Sequence, residues 1–453
     1  MAVTATQTPT KKFDMAFGPN PVTLTGIGGA DKYVLRIVRN ATVIADVRQT
    51  PNTLGFAIFD IQNILQTQVG PSLPNIEETG YVGPELANAQ RESVNYAIYV
   101  GSETLGTVTI DTVYPVDWVS FGGTKQYYEV PFDPDQWIPT VTASGTTPVI
   151  SKQGQPFTDR VKWVTGASIT DGKPSWLTDT MRVYLWDVTQ DDMTTMSFYN
   201  GLTGAPPAAV KGIGGFIYTQ YNGNTLVDTT IYQNLQSNGG GPNLAMADGT
   251  DVAYPWNAIT AGTGPKNFQD FDPSSTHYYV SVGAYDSSFE AYEVSDEPMF
   301  YVHRFNIIDP NCLDYEHYQF SWLNSYGFRD YYTFNKRKTR SIQIARNEFL
   351  QEDANYAAST YNVNTYNRGT TVYSQTLQET YIAFTNYISD EDARFLEGLY
   401  ISADVKVRMG DSTEWSPISL ISSNYTEKSY RQDRLFQYEI TFKQANNLKS
   451  QRG

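Results

Sequence analysis

The chain has 453 residues and a formal net charge of −16, with 40% hydrophobic and 18% charged residues. That length allows two to four domains of about 100–200 residues each, and 34 Gly with 23 Pro is ordinary usage, which excludes a collagen-like or low-complexity chain. No run approaches about 18 consecutive apolar residues, so no membrane-spanning helix is expected. The opening MAVTATQTPTKKFDMAFG lacks the apolar core of a secretory signal.

The acidic balance disfavours tracking along a nucleic-acid backbone, which needs clustered Lys and Arg. Charge is unevenly spread. Residues 1–310 carry 16 basic against 31 acidic side chains, and residues 311–453 carry 16 against 17. Such a split suits head-to-tail stacking by charge complementarity, and equally suits separate solvated surfaces. The one cysteine, Cys312, excludes a disulfide framework and a Cys-based zinc site.

In chain order, residues 1–12 show no periodicity and read as a mobile arm. KYVLRIVRNATVIADVRQT (32–50) alternates apolar and polar residues on both sides of Asn40: Tyr33, Leu35 and Ile37 before it, Val43, Ala45 and Val47 after it. This predicts a hairpin. Asp60 is placed to cap a short helix bearing Ile61, Ile64 and Leu65. NYAIYVGSE (95–103) is a further strand. The order then recurs. GFIYTQYNGNTLVDTTIYQN (215–234) is a hairpin with an Asn-Gly turn, and HYYVSVGAY (277–285) matches the later strand. Asn40 with Asn222, Asp46 with Asp228 and Gly101 with Gly283 share one offset, which predicts a duplicated β-domain. Between the copies, Met181, Val183 and Leu185 mark a strand belonging to the second copy or to a separate small sheet. Beyond 389, SDEDARFLEGLYIS predicts a helix with Ser389 as N-cap, acids in its first turn and an apolar side of Phe395, Leu396 and Leu399. Strands follow at 404–409, 414–425 and 434–445.

The predicted class is mainly β: a 1–12 arm, immunoglobulin/fibronectin-like β-sandwiches over 13–155 and 156–310, and a C-terminal β-rich domain with one short helix over 311–453.

Catalytic signatures are sparse. His277, His303 and His317 lack metal-ligand spacing, and His277 and His317 read as half-buried sheet residues. Gly410-Asp411-Ser412 reads as a hairpin turn, and no G-x-S-x-G is present. Gly122-Gly123-Thr124-Lys125 and Gly172-Lys173 do not fit a phosphate loop. The acidic pairs Asp133/Asp135, Asp191/Asp192, Asp248/Asp251 and Glu352/Asp353 follow from an acidic composition, and ADGTD (247–251) lacks a full calcium loop. No catalytic, cofactor or metal residue is assigned. Lys336, Arg337, Lys338 and Arg340 form a basic run suited either to an acidic neighbouring subunit or to guarding an exposed edge strand. The 33 Tyr residues, with runs such as Tyr127-Tyr128, Tyr278-Tyr279 and Tyr331-Tyr332, offer aromatic area for subunit interfaces or for glycan. Tyr331 and Tyr332 join the four basic residues as the candidate interface.

YQFSWLNSYGFRDYYTF (318–334), followed by TLQETYIAFTNYISDEDARFLEGLYIS, WSPISLIS and RLFQYEITFKQA, resembles structural virion proteins of tailed bacteriophages. The likeness is to tail and neck ring proteins of crAss-like phages, and the last portion is similar to distal-tail and tail-tube-type domains. It spans 312–445. It implies a non-enzymatic subunit of a homo-oligomeric ring, contacting other tail, portal or neck proteins in the virion after assembly in the host cytoplasm. It carries over no catalytic residues. The alternative readings are a tail-fibre or surface adhesin binding host glycan, and a virion-bound glycan hydrolase.

Overall fold

The computed structural model describes residues 2–8, 13–27, 31–39, 41–69, 87–88, 93–124, 163–201, 210–233, 256–267, 270–286, 300–308, 317–324, 327–350, 369–388, 390–410, 412, 414–421, 436–445 and 449–452. The chain forms two compact units. One comprises Met1–Pro310 with Ser321–Tyr332, the other Asn311–Phe320 with Thr333–Gly453.

The first unit begins with β1 (Thr4–Gln7), β2 (Phe13–Phe17), β3 (Pro21–Thr25), β4 (Lys32–Arg39), β5 (Thr42–Gln49) and β6 (Ala57–Asp60). A short helix α1 (Gln62–Gln68), β7 (Ala87–Asn88), β8 (Ser93–Thr104) and β9 (Thr107–Thr124) follow. The strands make a five-stranded sheet, β2-β9-β8-β4-β5, and a three-stranded sheet, β1-β3-β6. Val22, Leu24, Ala57 and Phe59 of the small sheet share one buried core with Tyr33, Leu35, Ile37, Tyr96 and Ile98 of the large one. Two sheets closing on one core, with β4 pairing both its hairpin partner β5 and the later β8, is the immunoglobulin/fibronectin-like sandwich. β2 runs parallel to β9. Asp60 was expected to cap α1, but the N-cap is Ile61; Asp60, one residue earlier, accepts the Gln62 N–H at 3.0 Å.

The arm expectation is corrected. Thr4–Gln7 pairs antiparallel with β3, and Val3 is buried. The Val3 N–H donates to Asp111 at 3.0 Å and its carbonyl accepts from Thr112 at 2.8 Å. An apolar residue whose backbone groups are all satisfied inside a sandwich has no reason to leave it. The predicted apolar side of β5 is corrected too: Val43 and Val47 are exposed, because β5 is the edge strand and only Ile44 and Ala45 reach the core.

The second copy contains β10 (Trp163–Thr165), β11 (Arg182–Val188), β12 (Thr195–Gly201), β13 (Val210–Asn222), β14 (Thr225–Gln233), β15 (Trp256–Gly262), β16 (His277–Asp286) and β17 (Phe300–Ile307). Its large sheet is β10-β11-β17-β16-β13-β14, and β12 pairs β15 in the small one, with β7 on the other edge of β15. The pairing logic repeats: a hairpin (β13–β14), its antiparallel neighbour β16, then β17, then a parallel strand, β11. The strand at Met181–Leu185 thus belongs to the large sheet of the second copy. The anchors are shifted, however. Ile37 pairs Ala45 where Gln220 pairs Asp228, so Asp228 corresponds to Ala45 and not to Asp46, while Asn40 lies outside the described residues. Val38 pairs Ala97 where Tyr221 pairs His277, so Gly101 corresponds to Ser281. The duplication lies in topology, and the described identities Asp46/Asp228 and Gly101/Gly283 do not occupy equivalent positions. Trp186, Val188, Met196, Tyr218, Tyr278, Val280 and Phe305 form the inner core. The Tyr218 hydroxyl donates to the Gly262 carbonyl at 2.5 Å and the Tyr278 hydroxyl to the Thr263 carbonyl at 2.7 Å, so each phenol is satisfied at the end of β15.

Next come β18 (Tyr318–Leu323), β19 (Arg329–Phe334), β20 (Lys338–Leu350), β21 (Thr370–Ile388), α2 (Asp390–Ile401), β22 (Val405–Met409), β23 (Ser416–Leu420), β24 (Phe436–Gln444) and β25 (Lys449–Arg452). They order as β19-β18-β22-β23-β24-β21-β20, with β25 also on β21. In the second unit an aromatic cluster holds the sheet: Tyr381 stacks on Phe442 at 5.4 Å, and Phe320 meets Phe442 edge-on at 5.2 Å and Phe334 at 4.7 Å. Helix α2 buries Phe395, Leu396 and Leu399 as predicted. Ser389, its predicted cap, lies outside the described residues.

The described tyrosines qualify the reading of exposed aromatic area, with Tyr99, Tyr114, Tyr184, Tyr332, Tyr400 and Tyr438 half-buried. Tyr33, Tyr96, Tyr218, Tyr221, Tyr278, Tyr279, Tyr318, Tyr331 and Tyr381 are all buried, whereas Tyr373 and Tyr387 are exposed. Tyr33, Tyr218, Tyr278 and Tyr279 each fill a sandwich with the ring and donate the hydroxyl to a backbone carbonyl. Tyr127 and Tyr128 lie outside the described residues. His277 and His317 are buried rather than half-buried, and His303 is buried as well.

Candidate interaction surface

β20 reads KTRSIQIARNEFL, with Ile at alternate positions, and its partner β21 is rich in Thr, Tyr and Ile, all good strand formers. The two pair from Lys338↔Ala383 to Leu350↔Thr370, with an irregularity at Asn347/Glu348. Residues directly opposite share a face. One face carries Arg340 with Tyr381, Ile342 with Glu379, Ile344 with Leu377 and Arg346 with Gln375. It continues the face on which Tyr381 and Ala383 enter the core, but it outruns that core. Ile342 and Ile344 are 49% and 48% exposed, and Leu350 at the far end is 83% exposed. The other face holds Thr339, Ser341, Gln343 and Asn347 against Ile382, Thr380, Gln378 and Ser374, with Asn347 donating to the Ser374 hydroxyl at 3.0 Å. β20 is the sheet edge and is exposed along nearly its whole length. Its outward backbone groups have no strand partner among the described residues, and an unpaired edge of this length is a template for another chain.

The base of this ribbon is fixed by charge. Arg340 reaches Glu379 through Nη2 at 2.6 Å and Nε at 3.3 Å, and the Tyr381 hydroxyl donates to the second Glu379 oxygen at 2.5 Å. The Lys338 ammonium lies 5.0 Å from the centre of the Tyr318 ring. Burial lowers the Lys338 pKa and pushes the Tyr318 hydroxyl up to about 12. The Lys336 N–H donates to the Phe384 carbonyl at 3.3 Å, and Arg337 is exposed. The basic run therefore sits on and beside an edge strand. Tyr332 is half-buried, and Tyr331 is buried with its hydroxyl 2.6 Å from the Thr195 hydroxyl, which corrects its placement on an open interface. Sequence reasoning missed Ile342, Ile344 and Leu350. The signal was the I-x-I alternation directly after the basic run, on a strand too far from the core to be covered.

A second feature lies in the second sandwich. Asp171 and Arg304 form a two-point ion pair at 2.6 and 2.5 Å, and Arg304 Nε donates to Asn306 at 2.9 Å. His277 and Tyr279 stand beside them. The hydrogen bond to Arg304 holds the Asp171 carboxyl below its ordinary value, while burial pushes the Tyr279 hydroxyl up to about 12. Among the described residues no group of His, Cys, Asp and Glu is arranged to hold a metal ion. Of the acidic pairs, Asp191 and Asp192 are described: Asp192 is buried and accepts the Thr189 N–H at 2.8 Å, and Asp191 faces Lys266 at 3.4 Å. Asp133, Asp135, Asp248, Asp251, Glu352 and Asp353 lie outside the described residues. Gly410 has φ +54° between β22 and β23, where the turn is predicted, and Asp411 lies outside the described residues.

No protein-family model and no curated protein matches this chain. Among solved structures it is similar to the fibronectin(III)-like modules of Clostridium thermocellum CbhA. The identity is 8%, with 69% of this chain and 97% of that chain covered and a TM-score of 0.15. It is likewise similar to a tetra-tandem repeat from the extending region of a large adhesion protein, at 8% identity over 100% of this chain and 89% of that chain, with a TM-score of 0.16. Scores this low establish no shared global arrangement. The sandwich assignment rests on strand pairing and cores.

Proposed function

We propose that this chain is a structural subunit of a bacteriophage tail or neck that assembles with copies of itself into a ring by subunit packing. The observation that carries the reading is the β20–β21 ribbon, an edge strand with Ile342, Ile344 and Leu350 exposed beyond the core of its own unit. Covering the exposed half of each isoleucine is worth about 1 kcal/mol, and edge pairing adds ladder hydrogen bonds that water otherwise satisfies. A ring needs two different patches per subunit, and the ribbon supplies one of them. The resemblance of residues 312–445 to tail and neck ring proteins gives the reading its setting: the virion, with other tail, portal or neck proteins as further neighbours. The burial of Tyr218, Tyr278, Tyr279 and Tyr331 takes these rings away from a glycan-adhesin reading.

Native mass and negative-stain images of the purified chain test this. Annular homo-oligomers are expected, and the pair Ile342→Lys with Ile344→Lys reduces them to monomers without changing the thermal midpoint. A wild-type chain that stays monomeric at its highest attainable concentration overturns the reading.

A further inference from the structure

Residues 166–181 leave the sheet edge between β10 and β11 and return to it across the outer face of the second sandwich. Ile169 and Leu177 are buried there against Val183, Tyr221, Tyr279 and Val302. Both backbone groups of Gly172 are tied down. Its N–H donates to the Gly223 carbonyl at 3.0 Å, and its own carbonyl accepts from the Tyr279 hydroxyl at 3.1 Å and lies 2.7 Å from His277 Nε2. A Cβ at this position would meet the Tyr221 ring at 2.5 Å and the Gly223 carbonyl at 2.6 Å, so nothing larger than glycine lies this close. Asp171, one residue earlier, grips Arg304 through both oxygens. Lys173 and Asp179 brace the segment internally at 3.0 Å.

His277 is sealed beneath this segment at 1% exposure. From the segment it faces Asp171 at 3.6 Å and the Gly172 carbonyl. From β13 the Tyr221 ring stacks on it at 5.4 Å, and from its own strand Tyr279 meets it edge-on at 5.6 Å. Nδ1 lies 3.1 Å from the Thr276 hydroxyl. On β17, Asn306 pairs with it in register and holds Asp187 of β11 at 3.1 Å, while Arg304 supplies the nearby positive charge.

We infer that residues 166–181 form a strap that acid releases from the sandwich face through His277, uncovering Val183, Tyr221, Tyr279 and Val302. With the strap closed, the imidazole is out of water. Burial is the largest influence holding its pKa below the ordinary value, and Arg304 acts the same way. The Gly172 carbonyl and Asp171 pull upward without overcoming them. With the strap open, the ring meets water and regains ordinary basicity. The open form thus binds the proton more tightly, so closure is complete above about pH 6.5 and weakens as pH falls towards the closed-state value. Asp171 acts in the same direction, but only below about pH 3.8, where its grip on Arg304 is lost.

Hydrogen exchange of the full chain at about pH 7.5 and about pH 5.5 tests the strap. After correction for intrinsic rates, protection of amides 166–181 is expected to fall by up to about tenfold per pH unit below about 6.5, while β13 and β16 stay unchanged. His277→Gln, whose amide still donates to the Gly172 carbonyl, is expected to hold the strap equally at both pH values. Asp171→Asn is expected to loosen it at both. In 13C-histidine-labelled wild-type protein, the NMR titration of His277 is expected to share its midpoint with the protection loss, a check that needs no variant to fold. Equal wild-type protection at both pH values, the same acid loss in His277→Gln, simultaneous loss in β13, or discordant midpoints each overturn the inference.

Discussion

Gly101 illustrates how a residue can be singled out from sequence for one reason and matter for another. It stood out as an anchor of the repeat, yet its register partner in the second copy is Ser281. What it does is sit at an irregularity of the β8–β9 pairing, where a Cβ would strike the Thr109 carbonyl. Gly101→Ala is expected to destabilise the chain by about 1–3 kcal/mol, read as a lower urea midpoint at unchanged slope. The tyrosines teach the complementary lesson. Alternation marks which residues share a face, but it does not say which faces a second sheet or a strap will cover. Tyr278 and Tyr279 point to opposite faces, and both are buried, one in the core between the sheets and the other under residues 166–181. The buried histidines were illegible for the same reason: Trp186 Nε1 donates to His303 Nδ1 at 3.0 Å across β11 and β17, a pairing no local pattern announces.

At the scale of elements, the hairpins at 32–50 and 215–234, the strand at 277–285 and the helices α1 and α2 were legible, because period-two alternation and helical apolar spacing are local signals. Among the strands that escaped, with β2, β3, β15 and β17, is the first. Thr4–Gln7, three polar residues around Ala5, carry no pattern of their own, and they pair because β3 offers an edge and Val3 a buried site. Deleting residues 1–7 is expected to cost about 2 kcal/mol or more, the worth of burying Val3 plus lost pairing, seen as a lower thermal midpoint. A mobile arm would leave that midpoint unmoved. The ribbon escaped for the opposite reason. Its alternation is plain, but only the structure reveals that the core ends near Tyr381 while β20 and β21 continue.

For the molecule as a whole, the uneven charge suggested that copies meet through acidic and basic surfaces. The ribbon points elsewhere: its exposed face is led by isoleucine, and Arg340 is already occupied by Glu379. Self-association is therefore expected to persist when salt is raised, since screening weakens exposed ion pairs and leaves apolar burial intact. Sedimentation at low and high salt checks this, and dissociation by salt returns the argument to charge complementarity.

The parallel pairing of β11 with β17, from Val183↔Val302 to Val188↔Ile307, bears on how the second sandwich answers force. Tension entering at the start of β11 and leaving at the end of β17 drags the two strands past each other along their length. Every rung of that ladder is then loaded at once, instead of the bonds opening one after another as in a zipper. The Asp171–Arg304 clasp ties the segment just ahead of β11 to β17 itself, so a pull on the chain meets an electrostatic catch before it reaches the ladder.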